Sequence, residues 1–217
     1  NYTAFVDAVD KAVSQFGKSL VTFGDTYIQN QTDDVLKQLE DMLPVRFGNN
    51  DQDPKFLGIV IDTSRSMENF SRFQMAKEAA IQMLELMNEQ DEVAVVAFSG
   101  SAVTKVKPTS VSKKDEIIDT INGLEPTQGT YLGLGMQTMF DLVKNLDTYS
   151  EKQIMLISDG LSHTVETDTP SIVARNMRAN EMYISVLNTG SSDGAALLEN
   201  IANLGGGNYY FVKSVEE

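Results

Sequence analysis

From residue 55 onward the chain alternates between two rhythms. "KFLGIVID" (55–62) is an unbroken apolar run ending in a carboxylate, the pattern of a strand buried on both faces of a parallel sheet. Residues 71–88 switch to helical spacing, with Phe73, Ala76, Ala80, Met83, Leu84 and Met87 on the inward face. "EVAVVAF" (92–98) predicts another buried strand, and "SAVTKVKP" (101–108) a short polar one that pairs with it as an antiparallel edge. Ser112 opens a helix to about Ile121, and 131–146 form the next. "KQIMLISD" (152–159) is a second fully buried strand. A helix near 170–179, a strand at 182–188, a helix at 193–203 and a last strand at 208–212 complete the series. Strands alternating with helices predict an α/β fold: a doubly wound, mostly parallel sheet, Rossmann-like, with one short antiparallel edge strand and helices on both faces.

The first 50 residues keep a different rhythm. Residues 3–16 predict an amphipathic helix through Phe5, Val9, Ala12, Val13 and Phe16, stopped by Gly17. "SLVTF" (19–23) suits a short strand. Thr32 suits the N-cap of a helix over 33–43, which Pro44 ends. "RFGNNDQDPK" (46–55) has no periodicity and gathers Gly, Asn, Asp and Pro, so a boundary belongs there. The expected organisation is a helix–strand–helix lead-in over 1–50 and a main domain over 51–217.

Composition narrows the partners. The 217 residues are 41% hydrophobic and 8% aromatic, as in a soluble globular chain, and no apolar run approaches the roughly 20 residues that cross a bilayer. This fragment is therefore not expected to insert directly into a membrane. No signal peptide is evident. The first residue is Asn rather than Met, which suggests a processed chain or a piece cut from a longer one. A net charge of −14 argues against nucleic acid and anionic lipid, while remaining compatible with cations. With no cysteine, disulfides, thiolate metal sites and a Cys nucleophile are excluded; with one histidine, so is a multi-His zinc site. The sequons at Asn30 and Asn69 are too short a pattern to imply glycosylation.

The chemistry concentrates where strands end. Two strands close on aspartates, Asp62 and Asp159, each followed by a hydroxyl- or Gly-bearing loop, "DTSRS" and "SDG". In an open α/β sheet, ligands sit beyond the carboxyl ends of the strands where strand order reverses. If these strands are neighbours across that reversal, their carboxylates share one cleft. Asp62, Ser64 and Ser66 offer three short oxygen donors at alternate positions, a set suited to a hard cation. By itself such a pentapeptide equally suits a capping turn.

"DTSRS" resembles the metal ion-dependent adhesion site of von Willebrand factor type A domains, whose pattern is Asp-x-Ser-x-Ser, a distant Thr and a distant Asp. "TQGTYLG" matches the Gly-Thr pair with Gly129 and Thr130, and "LISDG" matches the second Asp with Asp159. "AKEAA", "DEVAVVAFS" and "LLENIANLGGGNYYFV" extend the resemblance over roughly 55–213. It implies metal-dependent binding rather than turnover. The hydroxyls of Ser64, Ser66 and Thr130 ligate directly, Asp62 and Asp159 act mainly through water, and an open position takes a Glu or Asp carboxylate from a protein partner. Mg²⁺ is the expected cation, with Mn²⁺ or Ca²⁺ as substitutes. Thr127 competes with Thr130 as the ligand, though it follows Pro126 and lacks the Gly.

Arg65 stands where the family often has Gly and reads as a solvated side chain or a rim cation. Gly129 and His163 are further candidates for the rim. The helix that usually follows the last strand is not found before the sequence stops, which suggests either a truncated piece or N-terminal helices taking over its packing site, and the sequence leaves a helix-shift switch open. "VLKQLEDMLPV" resembles the join in bacterial membrane proteins that combine such a domain with a glutamine-amidotransferase-like domain. That implies a membrane-anchored parent with this piece outside the cytosol. Two other classes compete with the binding module. One is a metal-free scaffold in which the motif is only a turn. The other is a metal-dependent hydrolase using Asp62 or Ser64 as nucleophile and His163 as base. Against the hydrolase, position 64 is Ser where a second acid is needed, and no Gly-x-Ser-x-Gly elbow or phosphate loop is present.

Overall fold

In a computed structural model the described residues are 54–149, 152–161, 169–190 and 192–212. The helix, strand and helix expected over 1–50 lie outside them, as do His163 and the chain beyond 212. The strands are β1 (Phe56–Asp62), β2 (Glu92–Phe98), β3 (Ala102–Ser110), β4 (Lys152–Ser158), β5 (Met182–Asn188) and β6 (Gly206–Phe211). The helices are α1 (Arg72–Glu85), α2 (Lys114–Asn122), α3 (Leu132–Val143), α4 (Thr169–Ala179) and α5 (Ala195–Gly205).

The strands form one sheet in the order β3-β2-β1-β4-β5-β6. Every neighbouring pair is parallel except β2–β3, which is antiparallel. Period-two alternation sorts the apolar side chains into two cores. Phe56 and Val60 of β1, with Ala94, Val96, Phe98, Ile154 and Leu156, face α3, α4 and α5. Ile59 and Ile61, with Val93, Val95, Ala97 and Ile157, face α1 and α2. The central strands are buried on both faces, which explains why their sequences read as continuous apolar runs.

Three details differ from the sequence reading. The helix expected over 71–88 begins as a 3-10 turn, Arg65–Ser71, and becomes α-helical only at Arg72. Ser71, at φ 57°, is left-handed and separates the two segments. Met83 and Met87 are half-buried against the second core rather than fully inside it. β3 runs to Ser110, longer than the short edge expected.

The decisive feature for function is the reversal of strand order. β1 pairs with β2 on one side and β4 on the other, so the chain leaves β1 in one direction and returns to its opposite edge. The carboxyl ends of β1 and β4 are therefore adjacent, and the cleft above them is where α/β sheets bind ligands.

Candidate metal centre

Asp62 closes β1 with no exposed surface. One carboxylate oxygen accepts the Ser64 N–H at 2.8 Å, which folds the chain back as a tight turn. The other accepts the Ser158 hydroxyl at 2.6 Å. An ionised carboxylate has about four acceptor positions, so these two bonds leave capacity for more. Burial pushes the Asp62 carboxyl up to about 6, against the lowering effect of the Ser158 and Ser64 bonds; the negative charge of Asp159 adds a smaller upward push. A carboxylate so desolvated gains from a positive charge brought beside it.

The turn sets two hydroxyls side by side. Ser64 Oγ and Ser66 Oγ share a hydrogen bond of 3.0 Å, Ser64 buried and Ser66 half-buried. Adjacent ligands on an octahedron of radius about 2.1 Å lie about 3.0 Å apart, so this separation suits neighbouring positions around Mg²⁺. Among the described residues, no three or more His, Asp or Glu side chains converge as a metal cage. The donor set here is instead two carboxylates and short hydroxyls, which suits a hard cation.

The loop carrying Thr130 is held against this turn by backbone bonds. The Thr127 N–H donates to the Thr63 carbonyl at 2.6 Å, and Ser64 and Thr127 form an isolated parallel bridge. The Gly100 N–H donates to the Gln128 carbonyl, and the Tyr131 N–H to the Ser99 carbonyl, both at 2.8 Å. Gly129 adopts φ +89°, and a Cβ there would lie 2.6 Å from the Gly100 Cα. Only glycine meets both demands. Thr130, next in sequence, is 7% exposed. The Thr127 hydroxyl is engaged with a neighbouring strand end: it donates to Ser99 Oγ at 2.6 Å.

Asp159 immediately follows β4 and is fully buried. One of its oxygens accepts the Leu161 N–H at 3.1 Å, and the other lies 3.5 Å from Nη1 of Arg72. A side chain at Gly190 would collide with Asp159, so that loop too depends on glycine to close over the carboxylate. Arg65 is exposed, as a rim residue would be, and Gly129 is half-buried.

Two residues at this cleft escaped the sequence reading. Ser158 faces inward at the end of β4 and binds Asp62. Its only signal was a Ser preceding the Asp of a buried strand. Arg72, 5% exposed, lies beside Asp159, although a lone Arg at the start of an amphipathic helix reads as solvated.

The sequence profile of the von Willebrand factor type A domain matches residues 57–162, a span that runs from β1 past Asp159. Over that span the chain is similar to von Willebrand factor type A domains. Such domains are typically protein-interaction or adhesion modules, and mostly non-enzymatic. Uncharacterized protein YfbK of Escherichia coli is 27% identical over 165 residues; the match covers 74% of this chain and 29% of YfbK. The chain thus spans under a third of that relative's length. Solved structures share the type A fold. An aerotolerance-related membrane protein from Bacteroides fragilis superposes with a TM-score of 0.63 at 22% identity, covering 73% of this chain and 91% of the other. The corresponding domain of the type V pili tip protein Mfa5 from Porphyromonas gingivalis gives 0.61 at 14% identity, covering 75% and 90%.

Proposed function

We propose that this type A domain is a metal-dependent protein-interaction module. Ser64, Ser66 and Thr130 supply hydroxyls to a divalent cation, while Asp62 and Asp159 carry the balancing charge, directly or through water. Mg²⁺ is the expected ion, and Mn²⁺ or Ca²⁺ would substitute. When bound, the ion supplies an electrostatic clamp for a carboxylate from a Glu or Asp of a protein partner. The protein's own part is to hold neutral hydroxyls and desolvated carboxylates in one cleft, so that little reorganisation is needed on binding. The observation that carries this reading is the pair of serine hydroxyls 3.0 Å apart beside the buried Asp62, at the strand reversal of a type A fold.

The role proposed is binding without turnover. An extracytoplasmic position in a membrane-anchored parent is part of the proposal, motivated by two fold neighbours, a membrane protein and a pilus tip protein. Among the described residues no helix is long and apolar enough to cross a membrane.

One observation favours a second reading. Asp62 already accepts from Ser158, and Asp159 already lies beside Arg72, so protein groups alone partly satisfy the cleft. That suits a metal-free scaffold. Calorimetric titration of chelator-stripped protein with Mg²⁺ separates the two. Saturable heat in the wild type that disappears in Asp159→Ala is expected. Wild type without saturable binding would leave the scaffold reading.

A further inference from the structure

Arg72 is the first residue of α1 and is almost entirely buried. A guanidinium stays charged in any protein environment, and a buried charge is tolerated only with partners. Its Nη1 lies 3.5 Å from Asp159 Oδ2. That is too long for a strong hydrogen bond but close enough for a substantial Coulomb interaction at low dielectric. The interaction therefore acts on the charge of Asp159 while leaving its oxygen able to accept from another group. The left-handed Ser71 just before Arg72 ends the 3-10 turn and lets α1 start with this side chain directed inward.

Among the described residues, the charge count over Asp62, Asp159 and Arg72 follows. With both carboxylates ionised, Asp62 and Asp159 contribute two negative charges and Arg72 one positive. A dication entering such a site leaves it with an excess of one positive charge, where the two aspartates alone would have neutralised it. We propose that Arg72 is a positioning and charge-setting residue of this site. It weakens the binding of a lone cation and leaves the loaded cleft positive, so that the cation and an anionic partner group bind cooperatively. This rests on the metal reading above and deepens it: the cleft is poised to need a carboxylate from outside. By linkage, whatever strengthens the cation for the carboxylate strengthens the carboxylate for the cation by the same factor.

Three proteins test this: wild type, Arg72→Gln, which keeps an amide donor but loses the charge, and Arg72→Lys, which keeps the charge. Each is stripped with chelator and titrated with Mg²⁺, first alone and then with acetate at matched ionic strength. Arg72→Gln is expected to bind Mg²⁺ at least fivefold tighter than wild type, with Arg72→Lys within about twofold of it. Acetate is expected to tighten Mg²⁺ on wild type and Arg72→Lys more than on Arg72→Gln. A merely structural Arg72 would instead make both variants weaker in step with their lost stability, and that result would overturn the inference. Should Arg72→Gln fail to fold, the side-chain Nε resonance of Arg72 in wild type gives the answer. A shift on Mg²⁺ saturation supports the inference, and an unmoved resonance overturns it. If wild type itself binds no Mg²⁺, the metal reading falls with it. If wild type binds and Asp159→Ala does not, but Arg72→Gln binds no tighter, only the role of Arg72 falls.

Discussion

Asp62 is the residue on which the cleft's acid–base behaviour turns. Its carboxyl is raised to about 6 in the fold, chiefly by burial, against an ordinary value of 3.8. In metal-free protein, both folded and unfolded forms are protonated below 3.8, and Asp62 costs nothing. As pH rises, the unfolded chain ionises first, so stability falls until the folded carboxyl has also ionised above about 6. A shift of about two units corresponds to about 3 kcal/mol. Denaturant melts of wild type and Asp62→Asn in chelator, at pH 3.5 and pH 7.5, isolate this contribution from the other acids. The wild type is expected to lose about 3 kcal/mol more than the variant across that interval. Saturating Mg²⁺ at pH 7.5 is expected to restore much of the loss in wild type alone. An equal pH response in the two proteins would rule out the buried carboxylate as its source. Asp62, Ser64, Ser66 and Asp159 were legible because a motif of oxygen donors at strand ends is visible in one dimension. Arg72 and Ser158 were not, because their roles depend on two elements 87 and 96 residues apart meeting across the sheet.

At the scale of elements, the strands were the most legible part, since burial on both faces writes an apolar run that few other structures tolerate. β2 and β5 fall where the pattern set them. The start of α1 was not legible, because nothing in "NFSRF" announces that Ser71 turns left-handed. The antiparallel β3 was expected, but its length was underestimated, because alternating polar residues on an edge look like a loop. The Thr130 loop shows how an element's backbone sets the site. Gly129→Ala would force a side chain into φ +89° and drive its Cβ against the Gly100 backbone. The expected cost is about 1–3 kcal/mol of stability. Because Thr130 follows directly, a loss of Mg²⁺ affinity of at least about tenfold is expected as well. Gly123→Ala, at φ −75° on the α2 cap, is the control and is expected to change neither quantity much. If Gly129→Ala loses stability but binds Mg²⁺ as wild type does, Thr130 does not serve the site.

The whole molecule adds a field to this local picture. A chain of net charge −14 attracts dications diffusely, so heat on adding Mg²⁺ at low salt is ambiguous by itself. The same field repels an acidic partner at a distance, so in the proposed function the metal-loaded cleft has to draw a carboxylate in against it. Salt separates the two contributions. Diffuse attraction between exposed charges fades as the Debye length shrinks from about 30 Å at 0.01 M to about 8 Å at 0.15 M. A cation held between the buried Asp62 and Asp159 is screened far less, because little electrolyte reaches them. Titrations at 0.01 M and 0.3 M KCl are therefore expected to diverge. Wild type keeps one saturable event at the higher salt, weakened but present, while Asp159→Ala shows heat only at the lower. If both proteins lose their heats in parallel as salt rises, the binding belongs to the acidic surface. The hydroxyl turn after β1 would then be a structural cap, and a search for carboxylate-bearing partners would have no metal to justify it.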